Sequence, residues 1–84
     1  MHEGTVCREI LMIAERAARQ NALTEILGIT VAVGPLSCIQ PDQLQMCFSL
    51  AKKGTMAEQA QLRIITDTEI TGTRQEFVRQ IEGN

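Results

Sequence analysis

The first three residues, Met1-His2-Glu3, carry the only histidine of the chain. A free α-amine has an unperturbed pKa near ~8 and an imidazole one near ~6.5, so at neutral pH the imidazole is mostly ready to bind metal. The amine of Met1, the intervening amide and the His2 imidazole can close fused chelate rings around one ion. Deprotonated main-chain amides would complete a square-planar nitrogen set, a geometry that suits Ni(II) or Cu(II). Glu3 offers its amide nitrogen or a nearby carboxylate. Such a site is open on one side, which suits transfer of a metal better than storage. The same residues also read as a solvated chain end, because termini fray unless something ties them down. The dipeptide Met-His does not decide between the two.

Other reactive groups are few. The cysteines are Cys7, Cys38 and Cys47. An odd number without a close pair argues against a disulfide framework. Without a CxxC pair, a structural zinc site of the usual kind is not expected. Each cysteine sits in an apolar or amphipathic stretch and reads as a buried free thiol. A Cys–His nucleophilic pair would need Cys7 to meet His2, but Cys7 falls on an apolar stripe. No Gly-rich phosphate loop follows a strand, so the expectation is a protein that is not an enzyme.

The 84 residues allow one small domain over residues 1–84. Aromatic residues make up 2% of the chain, with Phe48 and Phe77 the only rings, so the core must be aliphatic. Stacking platforms for single-stranded nucleic acid are therefore missing. The net charge is −2 and no basic patch is visible, which argues against nucleic acid as a partner. No apolar run approaches the ~18 residues of a membrane span, and the start lacks the layout of a signal peptide. The expected location is the cytoplasm.

Four segments must position the first residues. From Thr5 to Gln20, Val6, Ile10, Ile13 and Ala17 recur at helical spacing, and Cys7, Leu11, Ala14 and Ala18 widen the stripe. "EILGITVAV" alternates as a strand, with Leu27, Ile29, Val31 and Val33 on one face. Gly34-Pro35 ends it. A second helix starts at Pro41, where a missing N–H costs nothing. Leu44, Cys47, Phe48 and Ala51 form its buried stripe, Lys52-Lys53 its last turn and Gly54 its stop. "AQLRIIT" reads as a second strand, and "DTEITGT" as a turn-rich link. The tail is ambiguous. Thr73 and Glu76 resemble a helix capping box. A strand over the same residues would complete a sheet that is marginal with two strands. That strand would set Phe77 and Ile81 on one face and Val78 on the other.

"MHE", "ITVAVGPLSCIQPDQLQMCF" and "GTMAEQAQLRI" together resemble the HypA/HybF family of hydrogenase nickel-incorporation proteins. The motifs stand here as Val33-Gly34-Pro35-Leu36-Ser37, Pro41, Gly54-Thr55-Met56-Ala57 and Ala60-Gln61-Leu62. The resemblance runs from residue 1 to about residue 65. Val78-Arg79-Gln80-Ile81-Glu82 is similar to the family's closing strand and favours the strand reading of the tail. The chain departs from the family pattern in having no insert with two CxxC pairs, and in Gly4, where an apolar residue is usual. A looser entry into the first helix is expected from that glycine.

The resemblance implies an α/β fold, two helices on a small mixed three-stranded sheet. It implies a nickel metallochaperone for [NiFe]-hydrogenase maturation, with Ni(II) held by Met1, His2 and Glu3; the missing CxxC insert leads to the expectation of no structural zinc. By resemblance its partners are a GTPase maturation protein and a hydrogenase large subunit. A homodimer is left open, because the short "DTEITG" link could send the tail strand to a second chain. The alternative is a metal-free interaction module of the same fold that binds a maturation or regulatory partner.

Overall fold

The structure, a computed structural model, describes residues 3–35, 37, 39–70 and 76–84, with the side chains of residues 3, 76 and 77 left aside. The elements follow in the order α1 (Glu3–Gln20), β1 (Ile26–Val33), α2 (Pro41–Ala51), β2 (Gln61–Thr66) and β3 (Glu76–Gly83). The sheet order is β2-β1-β3. β1 pairs parallel with β2 and antiparallel with β3, so the sheet is mixed as expected. The tail is therefore a strand, and Ile81 lies opposite Ile29. The Thr73–Glu76 capping box falls at residues 71–75 and the side chain of Glu76, outside what is described.

The core is aliphatic with one ring. Val6, Ile10, Ala14 and Ala18 of α1 meet Leu44 and Phe48 of α2, Ile26, Ile29, Val31 and Val33 of β1, and Leu62 of β2. Val78 and Ile81 of β3 are half-buried against this cluster. On the other side of the sheet Thr30 is half-buried, and Gln61, Arg63, Ile65, Gln80 and Glu82 are exposed.

Several sequence expectations change in the structure. On α1, Ile13 is exposed and Ala17 half-buried, because the helix buries the 7–11–14–18 side of its stripe. On β1, Leu27 is exposed and Ile26 fully buried, the reverse of simple alternation. The cause is a register shift: Ile26 lies opposite Gly83 and Gly28 opposite Glu82, so Leu27 is an extra residue. A bulge of this kind swaps the faces on either side of it. A second shift leaves Arg79 extra on β3, which brings Val78 and Ile81 to the same core-facing side. On α2, Ala51 is exposed and Cys47 half-buried, and the helix ends before Lys52-Lys53.

The family-like motifs turn out to be scaffolding. Gly54 stops the turn after α2 with φ +77, a left-handed conformation that glycine adopts without steric cost. The Thr55 hydroxyl donates to the Lys52 carbonyl (2.7 Å) and accepts from the Ala57 N–H (3.0 Å). Ala57 and Ala60 are fully buried beneath it. The Met56 carbonyl accepts from Ile26 N–H at 2.9 Å and so ties this turn to the start of β1. At the far end of β1, Ser37 N–H donates to the Gly34 carbonyl (3.1 Å), and the Ser37 hydroxyl accepts from Ile39 N–H (3.1 Å).

Candidate metal centre

α1 begins at Glu3, directly after the two residues that carry the candidate nitrogen donors. Met1 and His2 lie outside the described residues, as does the side chain of Glu3. What the structure defines is their platform. Val6 and Cys7, in the first turn and a half, are 0% and 1% exposed, and Ile10 follows at 0%. Gly4 is part of the helix, and a Cβ added there would meet nothing within 4 Å. The helix is anchored in the core from Val6 onward.

This placement has chemical consequences for the terminus. The first four N–H groups of a helix have no acceptor within the helix. The Glu3 amide is among them, so giving up its proton to a metal would break no helical hydrogen bond. The helix N-terminus also carries a partial positive charge, which favours anionic groups such as a deprotonated amide or the Glu3 carboxylate.

The remaining candidates do not join them. Cys7 is buried, and burial followed by the nearby Cys47 raises its thiol from 9.0 to about 11. A buried thiol held neutral at pH 7 is a poor nucleophile. Cys47 is half-buried and free, and Cys38 lies outside the described residues. Among the described residues no three His, Cys, Asp or Glu side chains converge as a metal site. No helix among the described residues is long and apolar enough to cross a membrane. The sequence reading had not foreseen the ion pair between Arg79 and Asp67, which joins β3 to the residue after β2. The acid follows β2 directly, and Arg79 is the extra residue of the β3 bulge.

The family model described as hydrogenase/urease nickel incorporation, metallochaperone, hypA, matches residues 1–74. The chain belongs to the HypA family. The hydrogenase maturation factor HypA of Archaeoglobus fulgidus is 42% identical over 64 residues, 76% of this chain and 58% of its own length. That of Actinobacillus succinogenes is 34% identical over 65 residues, 77% of this chain and 58% of its own. The chain thus spans somewhat over half the length of the curated relatives it matches. The solution structure of the Ni metallochaperone HypA from Helicobacter pylori superposes with a TM-score of 0.84 at 14% identity. It covers 99% of this chain and 97% of that one, and bears out the fold of two helices on a three-stranded mixed sheet. The HypA model begins at residue 1, so the Met-His-Glu start lies within the matched region.

Proposed function

We propose that this HypA-family domain binds Ni(II) through Met1, His2 and Glu3 and passes it on, as a metallochaperone, during [NiFe]-hydrogenase maturation. Nickel is its cargo, and no reaction is catalysed. The observation that carries the reading is that α1 starts at Glu3, directly after Met1 and His2, and is anchored by the buried Val6 and Cys7, in a chain matched from residue 1 by a nickel-incorporation family. An exposed chelate on a rigid stem keeps one side of the metal free for a receiving protein. Its partners are a GTPase maturation protein and the hydrogenase large subunit, met in the cytoplasm. The fold is held by its aliphatic core and needs no structural zinc.

Isothermal titration of untagged protein with Ni(II) tests this. One ion per chain is expected, with loss of binding in His2→Ala and weaker binding when residues are added before Met1. Equal binding by wild type and His2→Ala would refute the site. No binding by either would favour the metal-free interaction module. Elemental analysis and melting with a chelator test the zinc statement. No stoichiometric zinc and an unchanged melting temperature are expected, since a folding metal would be lost with its fold.

A further inference from the structure

The two edges of the sheet are treated differently. Along β2 and the residue before it, side chains of α2 and of its C-cap bind main-chain carbonyls: Gln45 Nε2 donates to Leu62 O at 2.6 Å, and Lys52 Nζ to Ala60 O at 2.8 Å. Covering an edge in this way blocks pairing with another strand. β3 is the other edge. Near its end, Glu25 and Asn84 exchange both main-chain hydrogen bonds, at 3.2 and 3.0 Å. Main-chain groups alternate in direction along an antiparallel strand, so Glu82 and Gln80 also turn toward β1, whereas Ile81 and Gly83 turn outward.

We infer that β3 is the dimerisation edge of the domain, pairing antiparallel with β3 of a second copy about a two-fold axis at Ile81. An isologous contact must be complementary to itself, and the residues of β3 allow few registers. An axis at Arg79 sets two guanidiniums opposite each other, and one at Glu82 sets two carboxylates opposite each other. Like charges in directly opposed positions destabilise a sheet. An axis at Ile81 avoids both. It places Ile81 against its own copy on the core-facing side, with the outward main-chain groups of the two residues exchanging hydrogen bonds. Gln80 then faces Glu82 of the second copy on the open side, and the pair occurs twice. Both side chains are exposed in the single chain, and an amide can donate to a carboxylate. The result is one continuous sheet of six strands with the helices of both copies on one face. The bulge at Arg79 limits the pairing to the end of the strand, so the dimer is reversible.

Sedimentation of the full chain over a range of concentrations tests the inference, with Gln80→Glu and Gln80→Lys as paired variants. Position 80 is exposed, and unchanged melting of both variants at low concentration checks that each folds. A concentration-dependent dimer is expected for wild type. Gln80→Glu places carboxylates opposite each other twice and should weaken it roughly tenfold, while Gln80→Lys creates two opposite-charge pairs and should tighten it by a similar factor. Amide exchange at Ile81 and Gly83 should slow as concentration rises. A monomer at every concentration would overturn the proposal. So would a dimer indifferent to both variants, or protection that grows along β2.

Discussion

Gly83 lies directly against the main chain of Glu25. A Cβ built on Gly83 would fall 2.0 Å from the Glu25 carbonyl oxygen and 3.1 Å from Ile26 Cα. Backbone atoms on both sides cannot yield as a flexible side chain would, so a methyl group must push the strands apart. Gly83→Ala should therefore cost roughly 1–3 kcal/mol, as other overpacked sites do. Gly4→Ala is the contrasting change, since nothing lies within 4 Å of its added carbon and the residue is helical. It should gain up to about 1 kcal/mol from helix propensity. Urea unfolding of both variants at low protein concentration measures this, and equal midpoints would show that the close approach is not rigid.

Ala22 gives the opposite kind of prediction. It has φ 59, the only non-glycine among the described residues in the left-handed region. It sits just past α1, where Leu23 N–H bonds to Ala18 O (2.8 Å) and Ala22 N–H to Arg19 O (3.2 Å). That is the helix-ending pattern in which glycine is usual, because a Cβ is strained there. Ala22→Gly should stabilise the fold by about 0.5–1 kcal/mol, the relief of strain being partly offset by a freer unfolded chain. A rise in melting temperature with unchanged cooperativity is the expected readout, and a fall would mean that the turn tolerates Ala22 without strain.

These two residues mark what could and could not be read from the sequence. Both helices and the first two strands followed from periodicity, Pro41 and Gly54, whereas the tail stayed ambiguous until the family-like Val78-Arg79-Gln80-Ile81-Glu82 favoured the strand. The faces of β1 did not. Ile26 and Leu27 are both large and aliphatic, and only the extra residue against Gly83 and Glu82 decides which goes inward. Nothing local announces that bulge, because its cause is the partner strand far along the chain. The α1 stop at Gln20 was legible from the break in periodicity, whereas the left-handed Ala22 that follows it was not. For the proposed site, residue type alone nominates Met1, His2 and Glu3, whereas the early burial of Val6 and Cys7 needed the tertiary structure.

Cys7 makes stability depend on alkaline pH. Its thiol moves from 9.0 to about 11 on folding, first through burial and then through Cys47. A group that binds its proton more tightly when folded contributes stability that is complete below its unfolded value and disappears above its folded one. The wild type should therefore lose stability between about pH 9 and pH 11. Cys7→Ala should be weaker throughout but lack this component, so the gap between the two narrows as pH rises. At pH 8, an alkylating reagent should modify Cys47 well before Cys7 in the folded chain. Equal labelling of the two, or parallel pH profiles for wild type and variant, would contradict the burial of the thiol.

Removing the tail tests the role of β3 in the fold. β3 pairs with β1 from Val33 to Ile26, and its Val78 and Ile81 cover part of the core. Deleting residues after Gly72 would leave two parallel strands, fewer than a sheet needs for independent stability. It would also leave one edge of the central strand without a hydrogen-bonding partner along its length, an invitation to aggregation. The Arg79–Asp67 ion pair would go too, but an exposed pair is worth only ~0–1 kcal/mol, so Arg79→Ala should have little effect alone. The truncated chain should lack a cooperative melting transition and should precipitate or sediment as large species. With α1 no longer held against a formed core, Ni(II) binding at Met1 and His2 should weaken but persist, because a flexible terminus keeps its donors while losing the rigid helix start. A soluble truncated chain that melts cooperatively would show that α1, α2 and the β1–β2 pair suffice, and that β3 is an accessory to the fold.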